Sequence, residues 1–214
     1  MIKSAITAFG RIAAFTLVLM LILGFAIPSL EALVTMEVDG NSANGSPVTI
    51  GKIIYGSEYL AEAFNQSFFF QPRPSATGYN FSYSGVSNYT IDNSRFINQT
   101  VQNIRLFEEK NPGINISQIP FTQIVISGSG VDPDIPLQAA YLQLPRVADN
   151  LTVLLENKSH ENSSYYSNLL KNLISENTAQ NFPLFGSDYV NVIQVDFVIL
   201  QIIVTYEGQS FLDK

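Results

Sequence analysis

Sixteen consecutive residues, Ile12–Ile27, read IAAFTLVLMLILGFAI and carry no charge. A helix built from them is apolar on every face, which suits a lipid surround better than the surface of a soluble domain. Ala8–Gly10 before the run and Pro28–Val34 after it bring the stretch to the roughly 20 residues that cross a bilayer. Arg11 lies at the edge, where its stem can follow the apolar surface while its head reaches the interface. Two other readings compete: a buried core helix and a cleaved signal peptide. A signal has an apolar core of about 7–15 residues and a small-x-small cleavage site. This core is longer, and no such site follows Pro28. The expectation is a cytoplasmic N-terminus over 1–8, a transmembrane helix over 9–34 and one extracytoplasmic domain over 35–214.

The orientation follows from charge. Lys3 and Arg11 precede the segment, whereas Glu31, Glu37 and Asp39 lie at or beyond its end. Basic flanks stay in the cytoplasm, so the following domain is expected outside the membrane. All but three of the eleven basic and eighteen acidic residues lie beyond residue 34, which leaves nine basic and seventeen acidic groups there. A net acidic domain is a poor partner for nucleic acid. The chain has no cysteine and one histidine, His160, so disulfides and Cys/His zinc sites are excluded. Charged residues make up 14% of the chain, against a usual share of about 25%, and Asn, Ser, Thr, Gln and Tyr supply polarity instead. Sequons of the form N-x-[ST] begin at Asn44, Asn65, Asn80, Asn88, Asn98, Asn115, Asn150, Asn157 and Asn162. On a domain placed outside the membrane they are glycosylation candidates, with chance in an Asn/Ser/Thr-rich chain as the competing explanation.

Periodicity gives the expected elements. Asp39–Pro47 reads as a linker or turn region and Ser57–Phe64 as a short helix. Gly78–Asn93, rich in Gly, Ser, Asn and Tyr, reads as a long loop pinned by Tyr79, Phe81, Tyr83 and Tyr89. From Ser94 a helix places Ile97, Val101, Ile104 and Phe107 on one face, until Asn111-Pro-Gly stops it. Pro120–Ser127 reads as a strand. Asp134 is expected to cap a helix carrying Leu137, Tyr141, Leu144 and Ala148, with Pro145 kinking or ending it. Asn162–Asn177 reads as a second helix with Leu169, Leu170, Leu173 and Ile174 inward. Tyr189–Tyr206 is apolar, but Gln194, Asp196 and Gln201 argue against a second span. Its β-branched residues suggest a long half-buried strand. The fold class expected is α/β or α+β.

Catalytic signatures are missing. His160 lies in the polar stretch ENKSHENSS, no G-x-S-x-G occurs, and no Walker lysine follows the glycines of Ser127–Gly130. Asp132 and Asp134 form a D-x-D pair without the rest of a calcium loop, so turn and capping roles fit them better.

Three blocks carry a resemblance. GSEYLAEAFNQSFFFQPRPSATGYN, Gly56–Asn80, presents Gly56, Ser57, Phe64, Phe69, Phe70, Arg73, Pro74, Ser75 and Ala76. SGVSN covers Ser84–Asn88. SGVDPDIPLQAAYLQLPRVA, Ser129–Ala148, presents Ser129, Gly130, Asp132, Ile135, Gln143, Arg146, Val147 and Ala148. In this order, behind one N-terminal anchor, and with VNVIQVDFVIL near the end, they resemble the KdpC family. Its members are components of the potassium-transporting P-type ATPase, the Kdp complex of bacteria and archaea.

The resemblance implies an accessory component with no catalytic residues and no directly bound cofactor, ATP and potassium being handled by partner subunits. The implied partners are a channel-like potassium-binding subunit, over whose external entrance the domain would sit, an ATP-hydrolysing subunit and membrane lipid. A role as a catalytic chaperone for ATP binding is also implied. From an external domain it would have to act as a coupling through the membrane helix or the assembly. The candidate interface or structural residues are Phe69, Phe70, Arg73, Ser75, Ser87, Asn88, Asp132, Gln143 and Arg146. Pro74 biases Arg73 toward an extended backbone, which aims its guanidinium. Arg73 is read as a structural or interface anchor, with binding of following-loop carbonyls as the other reading. The aromatics are read as core rather than interface. The chain departs from the family pattern at Leu151–Leu155, which lacks the family's glutamine, and in an apparent insertion over Glu156–Ser164. A membrane-anchored, glycosylated binding module with loop 78–93 as its platform, and an extracytoplasmic hydrolase, are the alternatives.

Overall fold

The computed structural model describes residues 2–180 and 186–208, with side chains from Ile6 onward. The chain divides into two units, Met1–Pro47 and Val48–Lys214. In the first, helix α1 (Ile2–Leu21) passes through a π turn at Ile22–Ala26 into α2 (Ile27–Val38). The π turn sits just before Pro28, whose missing N–H removes one rung of the helical ladder. The 33 residues Ile6–Val38 are long and apolar enough to cross a bilayer, and none is buried. Asp39 ends this helix and caps the four-residue α3 (Gly40–Ala43), its Oδ1 accepting the Ser42 N–H at 3.1 Å.

The second unit begins with a hairpin of β1 (Pro47–Ile50) and β2 (Ile53–Ser57). Its larger sheet has β5 (Asp188–Asn191) at the centre, flanked by β3 (Asp134–Pro136) and β4 (Thr178–Gln180), both antiparallel to it. The register pairs Ile135 and Thr178 with Val190. Helices α6 (Leu137–Ser159), α7 (Ser163–Glu176) and α8 (Val192–Glu207) pack together and supply most of the core. α4 (Ser94–Lys110) and the one-turn α5 (Phe121–Ile124) form a smaller cluster around Phe107, Ile119 and Ile124. Helices combined with small antiparallel sheets make this unit α+β.

Several expected elements formed for the expected reasons. Asn93 and Asn162 cap α4 and α7, accepting N–H groups of Arg95 and Tyr165. Tyr166, Leu170 and Ile174 of α7 are buried, with Leu169 and Leu173 partly so. Loop 78–93 contains turns but no helix or strand. Tyr79 pins its start by donating its hydroxyl to the Arg73 carbonyl at 3.0 Å, whereas Phe81, Tyr83 and Tyr89 are exposed. On α4, Phe107 is buried and Ile104 partly buried, while Ile97 and Val101 stay exposed.

Other elements differ. Tyr189–Tyr206 is not one long strand. β5 ends at Asn191, whose Oδ1 accepts the N–H groups of Ile193 and Gln194 and starts α8. Val192, Ile193, Val195, Phe197, Ile199, Leu200 and Ile203 are all buried, and a helix enclosed on nearly every side needs no polar face. Pro120–Ser127 is not a strand. Its Thr122 and Ile124 carbonyls accept from the Arg73 and Asn103 side chains, so distant donors replace a neighbouring strand. No helix forms over Ser57–Phe64, because the Ala61 N–H is taken by the Val131 carbonyl. Asp134 lies in β3 rather than capping a helix, and α6 starts after Pro136. Pro145 lies within α6 without ending it. The apparent insertion forms the end of α6, a left-handed turn at His160 (φ 55°) and the start of α7.

Candidate functional site

Residues 67–75 contain no helix or strand, so their peptide groups need partners from elsewhere. Pro72 and Pro74 lower that demand by removing two N–H donors. Side chains from distant elements meet most of the rest. Arg146 of α6 donates Nη1 to the carbonyls of Ser67 and Phe69, the latter at 2.9 Å. Asp196 of α8 accepts the Phe70 N–H at 2.8 Å. Gln143 of α6 accepts the Gln71 N–H at 2.7 Å and donates to the Gln71 carbonyl at 3.1 Å, pairing with that peptide as a neighbouring strand would. Gln123 Nε2 lies 3.4 Å from the carbonyls of both Gln71 and Pro72. The Pro74 carbonyl accepts the Ser127 N–H at 3.0 Å. We call this segment the strap.

Arg73 reaches out of the strap. Its Nε donates to the Thr122 carbonyl at 2.9 Å and its Nη1 pairs with Asp132 Oδ2 at 2.9 Å. The other Asp132 oxygen accepts the Asp134 N–H, so this carboxylate is committed on both sides. Ser75 is a hub: its Oγ donates to the Gly130 carbonyl and accepts the N–H groups of Thr77 and Tyr79. Gly130 adopts φ +78°, and a Cβ there would stand 2.8 Å from the Thr77 side chain and 2.9 Å from the Gly85 carbonyl oxygen. Only glycine tolerates both the conformation and the approach.

Under the strap, Phe69 and Phe70 are buried, with Phe69 tilted against Phe64 and Phe68 at 4.6 and 4.8 Å between ring centroids. Asp196 is fully buried and its Oδ2 has no partner among the described residues. Burial drives its carboxyl well above the usual range, against the opposing pull of the Phe70 N–H and Arg146. Burial thus favours the protonated form of this carboxyl. Burial also lowers Arg146 to about 10, with Asp196 pulling the other way. The carbonyls of Ser67 and Phe69, Asn111 Oδ1 and Gln143 Oε1 hold this guanidinium.

Seven of the nine singled-out residues thus converge on one device: Phe69, Phe70, Arg73, Ser75, Asp132, Gln143 and Arg146. Ser87 and Asn88 do not join it. Asn88 is exposed, and neither side chain makes a hydrogen bond among the described residues. Arg73 serves as an internal anchor, and the carbonyl it binds belongs to α5 rather than to the following loop. Sequence reading missed Asp196, Asn111, Gln123 and Ser127 as partners of the strap. Asp196 had a signal, a single acid within VIQVDFVIL, and such a residue needs a buried partner.

The arrangement can hold a conformation. Among the described residues no group of three or more His, Cys, Asp or Glu side chains is placed to hold a metal ion. His160 lies in the α6–α7 turn. A cleft of about 910 Å³ opens beside the Arg73–Asp132 pair, edged by Asp134, Tyr141, Asp188 and Tyr189.

A family model described as "KdpC: K+-transporting ATPase, c chain" matches residues 10–200. The chain belongs to the KdpC family. The relative named "Potassium-transporting ATPase KdpC subunit" from Thermoplasma volcanium is 42% identical over 201 residues, covering 94% of this chain and 92% of the relative. The namesake from Thermoplasma acidophilum is 43% identical over 198 residues, covering 92% and 95%. That of Caldanaerobacter subterraneus is 34% identical over 192 residues, covering 89% and 93%. In KdpC terms the first sequence block contains the strap and the third supplies Asp132, Gln143 and Arg146. The second block joins them where the Gly85 N–H and the Ser84 hydroxyl both donate to the Ser129 carbonyl.

Proposed function

We propose that this chain is the accessory KdpC component of an ATP-driven potassium-importing complex and acts through assembly rather than chemistry of its own. The observation that carries this reading is the family match running from the membrane helix to α8. The use of the sequence blocks supports it. Arg73, Asp132, Gln143 and Arg146 spend their side chains on internal bonds that hold the strap, which fits a structural rather than a chemical role. Residues 1–8 face the cytoplasm in this reading, the helix crosses once, and the α+β unit lies outside. Its partners are a channel-like potassium-binding subunit and an ATP-hydrolysing subunit, which handle potassium and ATP. The net acidic domain then raises cation concentration near the external pore mouth, over the roughly 8–10 Å that physiological salt permits.

Copurification tests the proposal. An affinity-tagged chain extracted in mild detergent should bring down a P-type ATPase and a multispanning channel-like protein, and membranes lacking it should lose potassium-stimulated ATP hydrolysis. A chain recovered alone, with transport unchanged by its deletion, would sink the reading.

A further inference from the structure

Loop 78–93 carries its apolar side chains outward. Phe81 is 62% exposed, Tyr83 57% and Ile91 78%. Such a cluster on a folded domain marks a surface that something covers. Asp92 is the one charged residue between Gly78 and Asn93, so the loop has no basic group to meet an anionic headgroup and little charge to match a protein partner. It does carry two sequons, and their middle residues are aromatic: Asn80-Phe81-Ser82 and Asn88-Tyr89-Thr90.

The amide geometry of the nine sequon asparagines differs in a way that bears on modification. Asn80 is exposed; its Oδ1 accepts the Ser82 N–H at 2.9 Å, and its Nδ2 makes no hydrogen bond among the described residues. Asn88 is exposed in a left-handed turn (φ 54°), with neither amide atom engaged among the described residues. Asn150 is the opposite case. It is half-buried on α6, its Nδ2 donating to the Arg146 carbonyl at 2.8 Å and its Oδ1 accepting from Ser67 at 2.7 Å. Asn44 likewise commits its Nδ2, to the Gly40 carbonyl at 2.6 Å.

We propose that the loop is N-glycosylated at Asn80 and Asn88, and that these glycans cover its exposed aromatic side chains. The donor is a lipid-phosphate-linked oligosaccharide and the catalyst a membrane oligosaccharyltransferase. Nδ2 bonds to C1 of the sugar, the C1–O bond to the lipid phosphate breaks, and the phosphate leaves with the electron pair. One amide proton passes to a base of the transferase. Oδ1 is not consumed, so the Asn80 turn survives modification. The C–H faces of the attached sugar can then lie on the negative faces of Phe81, Tyr83 and Tyr89. The proposal rests on the reading that this domain is outside the membrane.

The test uses the full chain purified from its own host. Glycopeptide mass spectrometry should find sugar on Asn80 and Asn88 and none on Asn150. An N80Q/N88Q double variant should lose that mass and bind a hydrophobic dye several-fold more strongly. Topology is read separately. Glu161→Cys, a single thiol at an exposed position of a cysteine-free chain, should react with a membrane-impermeant maleimide on intact cells. Labelling at 161 with Asn80 and Asn88 both bare overturns the glycan proposal and leaves the topology standing. No labelling at 161 in a stably expressed chain sinks the topology and the glycan proposal together.

Discussion

The strap and loop 78–93 are adjacent in sequence and built on opposite principles. The strap has no regular structure, yet most of its peptide groups are bound by side chains from other elements, and Phe69 and Phe70 are sealed beneath it. The loop also has no regular structure, but beyond Tyr79 few side chains hold it. Arg95 reaches back to Tyr89, 5.9 Å from its ring centroid, and Gly85 is fixed to Ser129. Irregular backbone is therefore not the same as loosely held backbone. What separates the two is the supply of buried donors and acceptors from α6, α8 and residues 123–132.

That contrast can be broken or sharpened by substitution, and Arg146→Ala should have the largest effect. It leaves the Ser67 and Phe69 carbonyls and the Asn111 amide oxygen without their donor, and Gln143 Oε1 with the Gln71 N–H alone. The expected loss is about 3–5 kcal/mol in chemical denaturation of the full chain in detergent. A loss under about 1 kcal/mol would mean that the strap is not held as described. Gly130→Ala should cost about 2–3 kcal/mol, from a strained positive φ combined with overlap on Thr77 and the Gly85 carbonyl. Arg73→Ala removes one partly exposed ion pair and one carbonyl bond, and should cost about 1–2 kcal/mol. Should Arg73→Ala also abolish copurification of partners while barely moving stability, Arg73 would be an interface residue instead.

Acidity supplies a fourth test. Burial raises Glu62 from 4.5 to about 7, and it raises Asp196 well above its ordinary value. Each folded-state value lies above its unfolded one, so the stabilisation is complete below the unfolded value and is lost as pH rises through the folded value. Melting temperature should therefore fall between about pH 4.5 and about pH 7, the window of Glu62. Glu62→Gln should flatten the part of the curve around its own folded value of about 7, and Asp196→Asn should stabilise the chain most at the alkaline end. A melting temperature that rose with pH over this range would contradict the upward shift of these two acids. The smallest effect is expected in the loop, where Tyr83→Ser and Ile91→Ser should each change stability by less than about 0.5 kcal/mol. A cost above about 1 kcal/mol from either would show that the loop is packed after all.

Sequence legibility follows the same division. α4 and α7 could be read because their caps and apolar spacing are local, and loop 78–93 because its composition is. α8 was misread for a physical reason. Its β-branched residues suit a strand by propensity, while enclosure by α6, α7 and the sheet decides the matter, and the cue at its start is the single cap Asn191. The one-turn α5 and the irregular 57–64 stretch were beyond local reading, since the Arg73 and Asn103 side chains and the Val131 carbonyl fix them from far along the chain. Most strap residues could be named from their pattern. Their shared geometry could not, because Asp196 meets Phe70 across 126 positions.

That span has a consequence for how the protein is made. A chain emerging from its N-terminus exposes Phe69 and Phe70 long before residue 196 exists to receive the Phe70 amide. Helix hairpin α6–α7 can assemble from near neighbours, but the strap must wait for α8, so closure of the domain is an event of high contact order. Until α8 has emerged, the aromatic triplet Phe68–Phe70 stays without the cover that it has in the folded domain.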